Sequence, residues 1–300
     1  MTTHPGPLNG VAHYENFPVA SWLCPTHLRA PIVAIYHFAR CADDLADEGN
    51  APASQRLGDL AQFRADLEAG TSQRWPHVFA PLATALASHA LPVHLLHALL
   101  DAFEQDVRYT AAADKPGHRY ANTAELLAYC AKSANPVGRL LLHLYGVNQP
   151  EALERSDAVC SALQLINFWQ DLGRDVRQGR YYLPLDLCAK HGLGHAQMLD
   201  LANGQLAPAV GHLKLIAENL ANAETLMRKG SKIAFQVPGR AGWELRAVIQ
   251  GGLRIAHRIE QQGYNTWQQR PKLGKTDVLA IGWAALWMHE RASDSPNQPA

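Results

Sequence analysis

Tyr36-His-Phe-Ala-Arg40-Cys-Ala-Asp43-Asp44-Leu-Ala-Asp47-Glu48 sets four carboxylates into an otherwise largely apolar stretch. Wound as a helix, it puts Tyr36, Arg40, Asp43 and Asp47 on one face at steps of four, three and four, with Asp44 and Glu48 in the next row. A second segment repeats the device: Gln164-Leu-Ile-Asn167-Phe-Trp-Gln170-Asp171-Leu-Gly-Arg174-Asp175. There Gln164, Asn167, Asp171 and Asp175 share one face. Like charges four apart cost an isolated helix a few tenths of a kcal/mol per pair, roughly. Asp is also a poor interior helix former. Two such stripes gain the fold nothing, so a ligand is expected to use them. Facing each other, they would offer hard divalent cations an all-oxygen donor set, and Mg²⁺, which is commonly shared between carboxylates and phosphates, suits them.

Away from the stripes the same helical period recurs. Leu95, Leu96, Leu99, Leu100 and Phe103 keep it, as do Leu140, Leu141 and Leu144, and later Leu213, Ile216 and Leu220. No segment alternates like a half-buried strand. Gly and Pro punctuate the chain at 49–52, 70–76, 116–117, 146–150, 192–194 and 238–242. Eight to ten helices in one all-α domain spanning residues 1–300 are expected, with polar, Pro-rich ends at 1–10 and 293–300 frayed.

The 27 basic residues cancel the 27 acidic ones. A chain without net charge has no bulk field for nucleic acid, so no nucleic-acid partner is expected. Five cysteines without a C-x-x-C pair fit a reducing cytosol better than a disulfide framework. No signal-peptide pattern opens the sequence, and a cytoplasmic protein is expected. Residues Val278–Met288 form an apolar run well short of the roughly 20 residues that span a bilayer. They read as a buried helix, or as a face resting on the inner surface of a membrane. His94 and His97 have no metal-ligand companions. Leu273-Gly274-Lys275-Thr276 lacks the leading glycine and strand of a P-loop. Arg270, Lys272 and Lys275 read as a solvated basic face, or as a further hold on a diphosphate.

Arg40–Asp47 matches the pattern R-x-x-D-D-x-x-D, and Gln164–Asp175 matches Q-x-x-N-x-x-x-D-x-x-x-D, followed by Gly179-Arg180-Tyr181-Tyr182-Leu183-Pro184. In these motifs the chain, from about Tyr14 to Arg270, resembles the squalene and phytoene synthase family. The resemblance implies an all-α isoprenoid-synthase fold with a central cavity. It implies that Asp43, Asp47, Asn167, Asp171 and Asp175 ligate Mg²⁺. Arg40 and the four aspartates would be catalytic. Asn16, Tyr36, Arg40, Gln164, Gln170, Arg180 and Tyr182 would bind the prenyl diphosphate.

Four places depart from the family pattern: Asn16–Ser21, Gln170 in place of an arginine, Lys132–Asn135 where an inner tyrosine is usual, and Gly252 in place of a tyrosine. Glu15–Ser21, Ser133–Gly138 and Asn167–Asp171 together resemble the branch that takes presqualene diphosphate to hydroxysqualene in bacterial hopanoid pathways. That resemblance implies Mg²⁺-dependent addition of water with release of diphosphate, beside other enzymes of the pathway. The competing expectation is head-to-head condensation of two farnesyl or geranylgeranyl diphosphates to presqualene diphosphate, squalene or phytoene. Lys132, Asn135 and Gln170 are expected to hydrate the cavity. Phe17, Trp22, Phe38, Phe168 and Trp169 are candidate walls for a carbocation. No G-x-G-x-x-G fingerprint suggests a Rossmann nicotinamide site.

Overall fold

Proline and glycine set the helix boundaries much as the punctuation implies. The computed structural model describes residues 24–112 and 119–289, and every regular element in it is a helix. First come α1 (Thr26–Asp47), α2 (Ala53–Ala69), α3 (Pro76–His89) and α4 (Val93–Ala111). Next are α5 (Thr123–Ser133), α6 (Asn135–Leu144), α7 (Pro150–Arg177), α8 (Leu185–Lys190) and α9 (His195–Ala202). The last are α10 (Val210–Gly230), α11 (Ile233–Gln236), α12 (Gly239–Gln261) and α13 (Lys275–Leu286). Pro76 and Pro150 open their helices, where a missing N–H costs nothing, and Gly70 closes α2 in the left-handed region.

Thirteen helices among the described residues exceed the eight to ten expected. α8, α9 and α11 are one or two turns long, too short for a 3.6-residue period to register. Pro136 also splits α5 from α6 at Ala134, within a segment whose leucine pattern runs on.

Two large apolar cores form, beside a small cluster of Cys24, Leu28 and Ile32. In the first, Phe38 of α1 packs on Phe63 of α2 and Phe79 of α3 at centroid distances of 5.1 and 6.1 Å, closed by leucines of α4. The second surrounds α7, which packs on α10, α6, α12 and α9. α1 belongs to one core and α7 to the other. The side chains that α1 turns away from Phe63 and Phe79, and α7 away from α10, line a shared cavity of about 920 Å³.

The last helix departs from the expectation of burial. In α13 only Asp277 and Ala285 are buried, while Val278, Leu279, Trp283 and Leu286 face outward, as does Trp287 just beyond. The apolar character of the run reflects its outer face.

Candidate active site

α1 delivers Tyr36, Arg40, Asp43, Asp44 and Asp47 to one end of the cavity, with Glu48 just beyond its last turn, and α7 delivers Gln164, Asn167, Asp171 and Asp175. Both stripes therefore do what their spacing predicts. The turn after α7 adds a further group. Gly179 takes a φ of 76°, which L side chains resist, and the Arg180 N–H returns to the Asp175 carbonyl at 2.8 Å. Arg180 is thereby folded back over the end of the helix. Its guanidinium bonds Asp47 on α1 and lies 3.6 Å from the Asp175 carboxylate on α7, so one arginine bridges the two stripes.

The other carboxylates are similarly engaged. Arg40 meets Asp43 at 3.1 Å, Asp44 at 2.7 Å and Glu48 at 3.0 Å. Arg270, in the loop before α13, grips Asp171. Arg270 is exposed, as Lys272 and Lys275 are, but unlike them it is tied to a carboxylate of the site. Among the described residues no three Asp, Glu, His or Cys side chains converge closely enough to hold a metal ion as they stand.

The donor set nevertheless fits a cation. Seven carboxylates line this end, Asp43, Asp44, Asp47, Glu48, Asp106, Asp171 and Asp175, against Arg40, Arg174 and Arg180, with Arg270 reaching in. An anionic ligand would be repelled here without further positive charge. Burial pushes the Asp43 carboxyl up to about 6, reinforced by Asp47. It pushes Asp175 up to about 7, with Asp171 adding to the shift and Arg180 opposing it. Carboxylates so crowded gain most from a divalent cation.

Asp106 of α4 belongs to the same end and was not anticipated. Burial pushes it up to about 8, helped by Asp47 and opposed by the Tyr129 hydroxyl, which donates to it at 2.7 Å. It stands seven residues after Leu99 and three after Phe103, on the apolar face of its helix. That lone acid in an apolar stripe was the available signal. Tyr129 starts an aromatic wall: Tyr182 stacks on Phe168 at 3.7 Å and 10°, with Tyr129 6.0 and 6.2 Å from the two rings. Tyr182 and Phe168 thus line the cavity, as the sequence implied. Beyond the wall the lining turns apolar, through Ile32, Ile35, Leu141, Val159 and Leu163, toward Cys24 and Tyr145.

Several expected site residues lie elsewhere. Gln170 is 1% exposed and donates to the Pro271 carbonyl at 2.8 Å, pointing away from the cavity. One position before Asp171 is a 100° turn off the stripe, and Gln170 secures the loop that carries Arg270. Lys132 is exposed, and buried Asn135 accepts a hydrogen bond from Ser161 at 2.9 Å. The cavity's hydration therefore does not come from these three side chains. Phe38 and Trp169 are buried in the two cores and do not line the cavity. A Cβ on Gly252 would meet Leu163 Cδ2 at 2.8 Å and Met227 Cε at 2.9 Å, so glycine there lets α12 close on α7 and α10. Asn16, Phe17 and Trp22 lie outside the described residues, as do the two chain ends.

Comparison with known proteins gives the same grouping. The squalene/phytoene synthase family pattern matches residues 11–277. The chain is 40% identical to a hydroxysqualene synthase of Zymomonas mobilis, over 93% of this chain and 89% of that protein. It is 29% identical to a presqualene diphosphate synthase of Rhodopseudomonas palustris, over 94% and 98%. The crystal structure of squalene synthase HpnC from Alicyclobacillus acidocaldarius superposes with a TM-score of 0.70 at 32% identity, covering 84% of this chain and 90% of that one.

Proposed function

The chain belongs to the squalene/phytoene synthase family, and from that premise we propose that it converts presqualene diphosphate and water to hydroxysqualene and diphosphate. The observation that carries the reading is a cavity with a charged head and an apolar body, about 920 Å³ in volume, at the upper end of ligand pockets. Such a cavity suits a long prenyl diphosphate. The 40% identity to a hydroxysqualene synthase favours water as the second reactant.

Asp43, Asp47, Asn167, Asp171 and Asp175 would hold Mg²⁺, whose chemistry is to neutralise the departing diphosphate. Arg40 and Arg180, with Tyr36 and Gln164, bind and orient the diphosphate by charge-assisted and neutral hydrogen bonds. Loss of the diphosphate leaves a cyclopropylcarbinyl cation, which rearranges while the faces of Phe168, Tyr182 and Tyr129 stabilise it, by roughly 0.5–2 kcal/mol each. Water then adds its oxygen to the cation and must lose a proton. Because the Tyr129 hydroxyl donates to Asp106, its oxygen is left to accept from that water, and the proton passes on to the carboxylate. Only the ionised form of Asp106 can take it, and because burial raises this carboxyl to about 8, the fraction competent for the step grows as the pH approaches that value.

The reading extends to a place beside other hopanoid-pathway enzymes and to peripheral contact with the inner face of a membrane, where both lipids dissolve. The second reading, condensation of two farnesyl or geranylgeranyl diphosphates, is favoured by the presqualene diphosphate synthase at 29% identity. Purified protein with Mg²⁺ and presqualene diphosphate, without nicotinamide, should yield hydroxysqualene by mass spectrometry. Presqualene diphosphate formed from farnesyl diphosphate alone would replace the first reading with the second.

A further inference from the structure

α13 is clamped at one end and bare along its outer side. The Asp277 carboxylate is fully buried and accepts from the Arg258 guanidinium at 2.8 and 2.9 Å, from Arg254 at 2.5 Å and from the Gly274 N–H at 2.7 Å. Arg258, first among these, holds the carboxyl well below the usual carboxylate range. With both arginines on α12, the clamp fixes the rotation of α13 and its outer face cannot roll inward.

That face carries Val278, Leu279, Trp283, Leu286 and Trp287, five of the nine large apolar side chains exposed among the described residues. Leu279 is 76% exposed and Trp283 65%. Leu279, Trp283 and Leu286 follow at steps of four and three, and Trp287 stands four beyond Trp283, which places these four on one side of the helix with Val278 at its edge. The Trp283 and Trp287 rings lie 5.7 Å apart, and a Cβ on Gly282 would meet open space. Exposed Lys275 sits one turn before Leu279, and exposed Lys272 precedes the helix. The helix's one acid, Asp277, is the buried clamp.

We infer that this face docks on an anionic phospholipid bilayer, with Trp283 and Trp287 at the headgroup level and Lys272 and Lys275 on the lipid phosphates. A soluble monomer rarely leaves so continuous an apolar stripe in water. A helix whose exposed side is apolar, with tryptophans at its end and lysines flanking its start, is chemically matched to an anionic interface. The opposing candidate is a second copy of the chain. A twofold contact would set each apolar stripe on its twin but would leave the lysines without a carboxylate from this helix to meet. The inference gives the proposed peripheral membrane contact its surface, and it rests on the function reading only for what the contact is used for.

The test is co-sedimentation of the full chain with phosphatidylcholine vesicles, with and without one-third phosphatidylglycerol, while turnover is followed separately on detergent-dispersed substrate. The wild type should sediment with the anionic vesicles and show a blue-shifted tryptophan emission. L279S/W283S should lose at least tenfold in vesicle affinity with an unchanged melting temperature, since both side chains are exposed. K272E/K275E should lose the preference for phosphatidylglycerol. The inference is overturned if the wild type stays in the supernatant, if L279S/W283S binds as well as the wild type, or if the face proves to form a concentration-dependent dimer that L279S/W283S abolishes. Turnover in detergent reports on the function reading alone, so either can fail without the other.

Discussion

Asp175→Asn should make the metal-free protein more stable at alkaline pH while abolishing turnover. The carboxyl of Asp175 is pushed up to about 7 by burial, against 3.8 unperturbed, and its side chain is 13% exposed. An acid with a raised folded pKa holds its proton more tightly folded than unfolded. The stability it contributes is therefore full below about pH 4 and is lost as the pH rises through about 7. Each pKa unit is worth about 1.4 kcal/mol, so the cost of ionising Asp175 reaches about 4 kcal/mol at pH 8 and under about 2 at pH 5. Asn keeps the size and never ionises. In urea titrations with a chelator present, its advantage over the wild type should thus grow by about 3 kcal/mol between pH 5 and pH 8. Added Mg²⁺ should stabilise the wild type at pH 8 and leave D175N unmoved. An advantage equal at both pH values, or a variant weaker at pH 8 than at pH 5, would refute the electrostatic reasoning.

Gly173→Ala tests the loop that carries Arg270. A Cβ there would run into the Trp267 carbonyl, a backbone atom that cannot swing aside. The loop would have to move, loosening Gln170 from Pro271 and Arg270 from Asp171, at a cost of about 3 kcal/mol. An unchanged urea midpoint would contradict this. Tyr129→Phe deprives Asp106 of its hydroxyl donor and should lower kcat about 10–100-fold. It should also raise the share of olefin over alcohol among the products, which gas chromatography would resolve. The Mg²⁺ concentration for half-maximal turnover should fall between pH 6 and pH 8, as Asp43 and Asp175, pushed up to about 6 and about 7, give up their protons. A flat profile would argue against both as ligands.

Periodicity made the all-α architecture and both stripes legible, because a helix translates spacing directly into facing. Asp43, Asp47, Asn167, Asp171 and Asp175 meet one cavity for that reason. What spacing cannot carry is which of two chemically similar faces meets a void and which meets another helix. Phe38, Phe168 and Trp169 are alike in sequence, yet only Phe168 lines the cavity, since α1 and α7 each bury other rings against their own cores. Gln170 fails similarly: its departure from the family pattern drew attention, but its side chain serves the loop at Pro271. Arg270 reaches Asp171 from 99 positions away, a distance at which local sequence says nothing. The apolar run in α13 shows the converse error, hydrophobicity taken for burial.

The arginines lodged among the carboxylates carry a thermodynamic consequence. Arg40, Arg180 and Arg270 each occupy acids that a cation would need, and each is a hand that a diphosphate would take. Binding is then an exchange of partners: a cation frees the arginines, and a phosphate frees the aspartates. The two ligands must favour each other by one and the same factor, whichever arrives first. Isolated Mg²⁺ and isolated inorganic pyrophosphate should each bind feebly, and the pair far more tightly than the product of their separate affinities. The head of the cavity is in this sense a lock with two keys that turn only together.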